Sequence, residues 1–258
     1  GYSSAASDVY KRQLVFFSNT NWTTFDLSTG EYITKLGQLR RLTISGYGLV
    51  DLDPDFKNLK NLESLDISVN NFEKIPEVLT KENFPKLHAL YLNTCQRGVI
   101  YDLSNTTTTH FGGLFEETDQ TREFPRRLLE WDNLDTLTLS VNYLQGRIPD
   151  MKDYAQKYTQ ADISAADSLP QALVGTPKVL PNIKRFSINL NRLTGELPEW
   201  LLHHPALDWM DPFTLVFTQE GKDQDGKLAG FTNEPVNLDE YYRFYEGKKY
   251  LDPNKKEE

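Results

Sequence analysis

The residues best suited to chemistry in this chain are four histidines, one cysteine and a short acidic run, and each is weighed here against the partners it would need. His203-His204-Pro205 would suit a metal, but zinc sites draw Cys, His or carboxylate ligands at short spacings, and no such partner stands beside the pair. The other two histidines are His88 and His110. Asp223-Gln-Asp225-Gly226 has the opening spacing of a calcium loop. Such a loop runs about twelve residues and closes on a bidentate Glu. Glu234 follows Asp225 by 234 − 225 = 9 residues, but Gly230 and Phe231 intervene in a strand-like stretch, so the segment reads as a turn. Cys95 lies inside an apolar pattern and reads as a small buried side chain. With one cysteine no intrachain disulfide forms, and the redox compartment is not legible. There is no His-Glu-x-x-His, Gly-x-Ser-x-Gly or phosphate loop. Carboxylates are abundant, yet none pairs off as the acid and base of glycoside hydrolysis. No catalytic residue, metal ligand or cofactor is predicted.

What the chain does carry is a phrase that recurs five times. It reads Leu62-Glu-Ser-Leu65-Asp-Ile67-Ser-Val-Asn70-Asn-Phe72, Leu134-Asp-Thr-Leu137-Thr-Leu139-Ser-Val-Asn142-Tyr-Leu144 and Ile183-Lys-Arg-Phe186-Ser-Ile188-Asn-Leu-Asn191-Arg-Leu193, with looser copies from Leu39 and Leu87. The first leucines step by 62 − 39 = 23 and 87 − 62 = 25, then by 47 and 49, about twice the period. Alternation within each phrase is that of a strand with one buried face. One such strand cannot bury its apolar side alone, so the coils must stack. Asn70, Asn142 and Asn191 stand where the chain leaves the strand, with Cys95 in the equivalent place of the third copy and Tyr47 in the first. An amide both donates and accepts, so an Asn there satisfies backbone groups that the turn would otherwise leave unpaired.

These phrases are the leucine-rich repeat signature, and the second halves sharpen the resemblance. Leu193-Thr-Gly-Glu-Leu197-Pro and Leu144-Gln-Gly-Arg-Ile148-Pro149 resemble the Leu-x-Gly-x-Ile-Pro variant of plant-type and many bacterial surface proteins; Phe72-Glu-Lys-Ile75-Pro76 matches without the Gly. The resemblance covers roughly residues 27–212. It implies an α/β fold: a right-handed solenoid with a parallel concave sheet, short 3-10 or helical segments on the convex side, and a capped C-terminus. In that fold the residues between the strand leucines face outward on the concave side. Here they are Arg41, Thr43 and Ser45; Ser64, Asp66 and Ser68; Ala89, Tyr91 and Asn93; Thr136, Thr138 and Ser140; and Arg185, Ser187 and Asn189. Members of this family use the concave face to bind ligands, and hot spots favour Tyr and Arg. The ligand-binding residues expected are therefore Arg41, Thr43, Ser64, Asp66, Tyr91, Asn93, Thr136, Thr138, Arg185, Ser187 and Asn189.

The 258 residues carry a net charge of −9, which argues against nucleic acid, since that partner needs clustered Lys and Arg. Arg40-Arg41 and Arg126-Arg127 read as solvated pairs. No apolar run approaches the ~18 residues of a membrane span. Residues 3–13 resemble the in-frame translation of a sequencing adapter, so 1–13 are set aside as a non-native leader and a true N-terminus with signal or anchor is expected upstream. Residues 14–212 form the solenoid, beginning with a partial coil or cap at 14–33 and carrying insertions at 98–123 and 150–180. Residues 213–258 form a capping hairpin, with an Asp-Gly turn between Phe213–Gln219 and Lys227–Phe231, followed by a tail.

The function expected is non-catalytic recognition of a protein or glycan by the concave face, on an exported bacterial protein at the cell surface or outside the cell. A structural spacer in a larger surface protein is the alternative. A carboxylate-dependent glycoside hydrolase is the third reading.

Overall fold

The computed structural model describes residues 13–17, 33–47, 49, 51–70, 72, 75–93, 123–151, 179–202, 218–222 and 226–232. Strand β1 is Gln13–Phe17, β2 Arg41–Ser45, β3 Ser64–Asp66, β4 Ala89–Tyr91, β5 Thr136–Thr138, β6 Gln145–Gly146, β7 Arg185–Ser187, β8 Arg192–Gly195 and β9 Gly230–Phe231. Six of these make one parallel sheet in the order β1-β2-β3-β4-β5-β7. Each successive strand adds one coil, and the order follows the chain except for β6, which lies in the second sheet. Short helices return the chain between strands: a 3-10 turn at Pro54–Asn58, α1 at Arg126–Leu129 and α2 at Glu199–Leu202. At the first of these, Asp53 Oδ1 caps the turn by accepting from the Asp55 N–H at 2.8 Å, and Pro54 supplies a preset φ.

The register explains the leucines. Leu14, Leu42, Leu65, Leu90, Leu137 and Phe186 stand opposite one another across the sheet. From Leu42 onward this column is buried, as are Ile44, Ile67, Leu92, Leu139 and Ile188 two residues further on. A continuous core runs from Ile33 to Phe231, with Phe72, Phe84 and Trp131 wholly enclosed. Gln13, at the end of the expected leader, and Leu14–Phe17, in the expected partial coil or cap, all pair with β2 in the register of the later coils. Residues 1–12 and 18–32 lie outside the described residues, as do 94–122 and 152–178, which hold Cys95, His110 and most of the two segments expected to be insertions. Across the 183 − 134 = 49 residue step between phrases β5 and β7 still pair in register, as a stack allows when each coil contacts only its neighbours.

The ladder of turn residues has the bonds expected of it. Asn70 Nδ2 donates to Ile67 O at 2.7 Å and to Ile44 O of the preceding coil at 2.8 Å, while its Oδ1 accepts from the N–H groups of Tyr47 and Leu49. Asn142 donates to Leu139 O and Leu92 O. Asn191 donates to Ile188 O and Leu139 O and accepts from Asn142 N and Leu144 N. The residue before each of these Asn, namely Val69, Val141 or Leu190, has φ of +60°, +59° or +56°, the left-handed conformation that turns the chain out of the strand. That region is costly for a β-branched residue. The ladder holds it by fixing the carbonyls and amides on either side.

Three features were not foreseen. First, Gln219 extends the ladder: its Nε2 donates to Ile188 O at 3.1 Å and its Oε1 accepts from Leu193 N at 3.1 Å. Second, β6, β8 and β9 form a separate parallel sheet on the outgoing side of the turns. Gly146 and Gly195 stand in it at φ of +77° and +85°, and a Cβ on Gly195 would meet the Arg147 side chain at 2.8 Å, so that turn needs glycine. Third, Asn61, Asn133 and Asn182 donate Nδ2 to Gly37 O, Pro85 O and Asp132 O at 2.7, 2.8 and 2.8 Å, a second ladder just before the strands.

Two expectations change with the structure. Arg127 is not a solvated surface charge: its guanidinium donates to Ile75 O at 2.5 Å and Pro76 O at 2.8 Å, tying α1 to the coil before. Burial lowers its pKa from the ordinary arginine value, with the nearby Glu77 carboxylate acting in the opposite sense. At the C-terminal end, the described part of the expected hairpin is one antiparallel bridge, Lys222 to Leu228. Gly230 and Phe231 instead join β8 in parallel. Residues 203–217, 223–225 and 233–258, with His203, His204, the first strand of that hairpin, the acidic turn, Glu234 and the tail, lie outside the described residues.

Candidate binding face

The outward side chains of the main sheet fall into three rows running across the strands. The row nearest the strand starts is Gln13, Arg41, Ser64, Ala89, Thr136 and Arg185; the middle row is Val15, Thr43, Asp66, Tyr91, Thr138 and Ser187. Continuing the same offsets past the strand ends brings Ser45, Ser68, Asn93, Ser140 and Asn189 into a third row at the turns. The structure therefore brings together all eleven residues predicted for the site. Neighbouring strands lie ~4.8 Å apart, so β2 to β7, four steps, spans ~19 Å, and the rows are ~6.6 Å from one another.

The three rows differ in what they leave available. The turn row is engaged with itself and with the backbone. Asn93 N donates to Ser68 Oγ at 3.1 Å, and Ser140 N donates to Asn93 Oδ1 at 3.0 Å. The hydroxyls of Ser140 and Ser187 lie 2.5 Å apart, and both donate to Asn189 Oδ1. Each of these bonds crosses from one coil to the next or closes the turn, so the predicted contacts Asn93, Ser187 and Asn189 have structural work of their own. Asp66 shares in it, accepting from Ser68 N at 3.0 Å through Oδ1.

Toward the strand starts the groups are less engaged. Thr136 is 7% exposed, its hydroxyl donating to Asp135 Oδ1 at 2.8 Å, and Ala89 beside it is 5% exposed, so neither offers much surface. Arg41 and Arg185 are exposed at the two flanks, and Thr43, Ser64 and Tyr91 are half-buried between them. The Thr138 hydroxyl is buried without a hydrogen-bond partner. Just outside this row lies a column of charge, in which Arg40 meets Glu63 at 3.5 Å and His88 Nδ1 meets Asp135 Oδ2 at 3.0 Å. Among the described residues no three His, Cys, Asp or Glu gather as a metal site would require.

A six-strand parallel stack, an inward leucine column and Asn rungs at the turns after β3, β5 and β7 decide the architecture. It is a leucine-rich repeat solenoid. The family model described as Leucine Rich Repeat matches residues 61–81, the coil that carries β3 and Asn70. No curated protein matches the chain. Among solved structures it is similar to the leucine-rich repeat ectodomain of the plant membrane receptor kinase GASSHO1/SCHENGEN3 from Arabidopsis thaliana, solved in complex with CASPARIAN STRIP INTEGRITY FACTOR 2. The identity is 18%, the TM-score 0.44, and the match covers 84% of this chain and 19% of that one. The present chain thus spans about a fifth of that ectodomain. Among the described residues of the leucine-rich repeat solenoid, no helix is long and apolar enough to cross a membrane.

Proposed function

We propose that this leucine-rich repeat solenoid is a non-catalytic recognition module that binds a protein or glycan through its concave sheet, as part of an exported bacterial protein. The observation that carries the reading is the split of the concave face into an engaged turn row and two rows with unengaged groups. Arg41, Thr43, Ser64, Tyr91, Thr138 and Arg185 are fixed to a sheet that is rigid in register, so little ordering remains to be paid on binding. Against an enzyme on this face stands its carboxylate content. Asp66 is the single acid in the three rows among the described residues, and glycoside hydrolysis takes two. The extracellular setting is favoured by the Leu-x-Gly-x-Ile-Pro half-repeats at Leu144 and Leu193.

The test is a screen of the full chain against glycan and surface-protein arrays, with the double variant Arg185→Glu, Tyr91→Ala alongside. Binding is expected to vanish in the variant while stability stays within ~1 kcal/mol, because both side chains lie outside the core. Binding that survives the double substitution moves the site off the concave face. A folded chain that binds nothing on either array returns the protein to the spacer reading.

A further inference from the structure

Arg41, Lys184 and Arg185 are exposed, and among the described residues none of the three side chains meets a carboxylate or another hydrogen-bond partner. Their neighbours at the same end of the strands are paired, Arg40 with Glu63 and His88 with Asp135. The chain as a whole carries −9, so three unpaired cations flanking one face run against its average charge. We infer that the concave face takes an acidic peptide, extended across the strands from β2 to β7, with one carboxylate on Arg41 and another on Arg185 backed by Lys184. This rests on the concave-face reading above and adds the ligand's class and charge.

The spacing sets the length. The ~19 Å between β2 and β7 corresponds to about six residues of extended chain at ~3.3 Å each. Arginine is suited to both ends because its planar fork binds a carboxylate through two parallel hydrogen bonds. Between the ends, Asp66 on β3 repels a ligand carboxylate, so the acids are placed at the flanks rather than the middle. The hydroxyls of Thr43, Ser64 and Tyr91 each donate and accept, which suits the alternating N–H and C=O groups of a peptide backbone. A glycan fits less well, because the rows from β2 to β7 present one ring, Tyr91, on which a sugar could stack.

The experiment is selection of a random ten-residue peptide library on the full chain, at low and at physiological salt, with the enriched sequences read out. Enrichment of peptides carrying two Asp or Glu five to seven residues apart is expected, stronger at low salt. Affinity for a selected peptide should fall about tenfold or more in Arg41→Gln and in Arg185→Gln, and by less in Arg41→Lys and Arg185→Lys, which keep the charge but not the fork and control for folding. Enriched peptides without acidic pairs, lost in Tyr91→Ala but indifferent to the arginines, would overturn the charge assignment and leave the concave face standing. Peptides indifferent to all three positions would overturn both. Failure to enrich any peptide, with an oligomer of uronic acid bound by the native chain and not by the Gln variants, would replace the peptide with an acidic glycan.

Discussion

Asn191→Ala tests the ladder where it is most fully formed. The side chain is wholly buried and makes four bonds: Nδ2 to Ile188 O at 2.8 Å and Leu139 O at 2.9 Å, and Oδ1 from Asn142 N at 2.8 Å and Leu144 N at 3.2 Å. Removing it takes the acceptor from the Asn142 and Leu144 amides, while Leu139 O and Ile188 O keep the side-chain amides of Asn142 and Gln219 as donors. An orphaned buried group costs ~1–3 kcal/mol, and the lower figure for two amides gives ~2 kcal/mol. That is a sizeable share of the ~5–15 kcal/mol that holds a domain folded. Asn191→Asp should be no better, since it keeps the two acceptor bonds but sets a carboxylate against two carbonyl oxygens. The assay is urea unfolding combined with amide hydrogen exchange. The amides of Asn142 and Leu144 should lose protection first, because they belong to the coil that Asn191 caps. A loss under ~1 kcal/mol with both amides still protected would refute the account and show that the turn is held by packing alone.

Three further outcomes follow from the same packing. Leu65→Ala, at 0% exposure in the leucine column, should cost ~2–5 kcal/mol in urea unfolding, and a loss below ~1 kcal/mol would remove Leu65 from the core. Arg127→Ala should cost ~1–3 kcal/mol by orphaning Ile75 O, Pro76 O keeping the Leu79 N–H, measured as a lowered thermal midpoint; a neutral result would return Arg127 to the surface. Val141→Asn should raise the thermal midpoint, by up to ~1 kcal/mol of relieved strain, because Asn tolerates a φ near +59° better than a β-branched side chain; a lowered midpoint would mean that Val141 packing outweighs the strain.

The parts of this fold that repeat in sequence were legible, and the parts that act once were not. Leu65, Leu137 and Phe186 announce their column by alternation, and Asn70, Asn142 and Asn191 announce the turns by recurring eight residues after the first leucine. Gln219 does the same work without announcing it. It comes 219 − 191 = 28 residues after the previous rung and reaches its partners through one extra methylene, so neither spacing nor residue type marks it. The second ladder could have been found, since Asn61, Asn133 and Asn182 each stand immediately before a phrase's first apolar residue. Gly146 and Gly195, at matching places in two repeats, were likewise a trace of the second sheet. Arg127 carried no such trace. A charged pair reads as surface unless the carbonyls it will meet, 51 and 52 residues away, are already placed.

The division of the concave face follows from how a coil must end. At the close of each strand the chain turns through a left-handed residue, Val69, Val141 or Leu190, whose own N–H still reaches the next coil, while neighbouring amides such as Ser68 N, Ser140 N and Asn142 N point to side chains. Those groups are met partly by the Asn ladder inside and partly by the outward side chains of the turn row, as when Ser140 N donates to Asn93 Oδ1 and Asn93 N to Ser68 Oγ. Short polar residues are therefore required there whatever the protein binds, and their presence says nothing about a ligand. Near the strand starts the backbone is already satisfied by the neighbouring coil, Glu63 N and Ser64 N on Arg40 O, His88 N and Ala89 N on Glu63 O, Lys184 N and Arg185 N on Asp135 O. Side chains at that end are released from structural duty and vary freely, from Arg41 through Ser64 and Ala89 to Arg185. For the ligand proposed above, specificity is expected at the ends where the strands begin, which is where Arg41 and Arg185 stand.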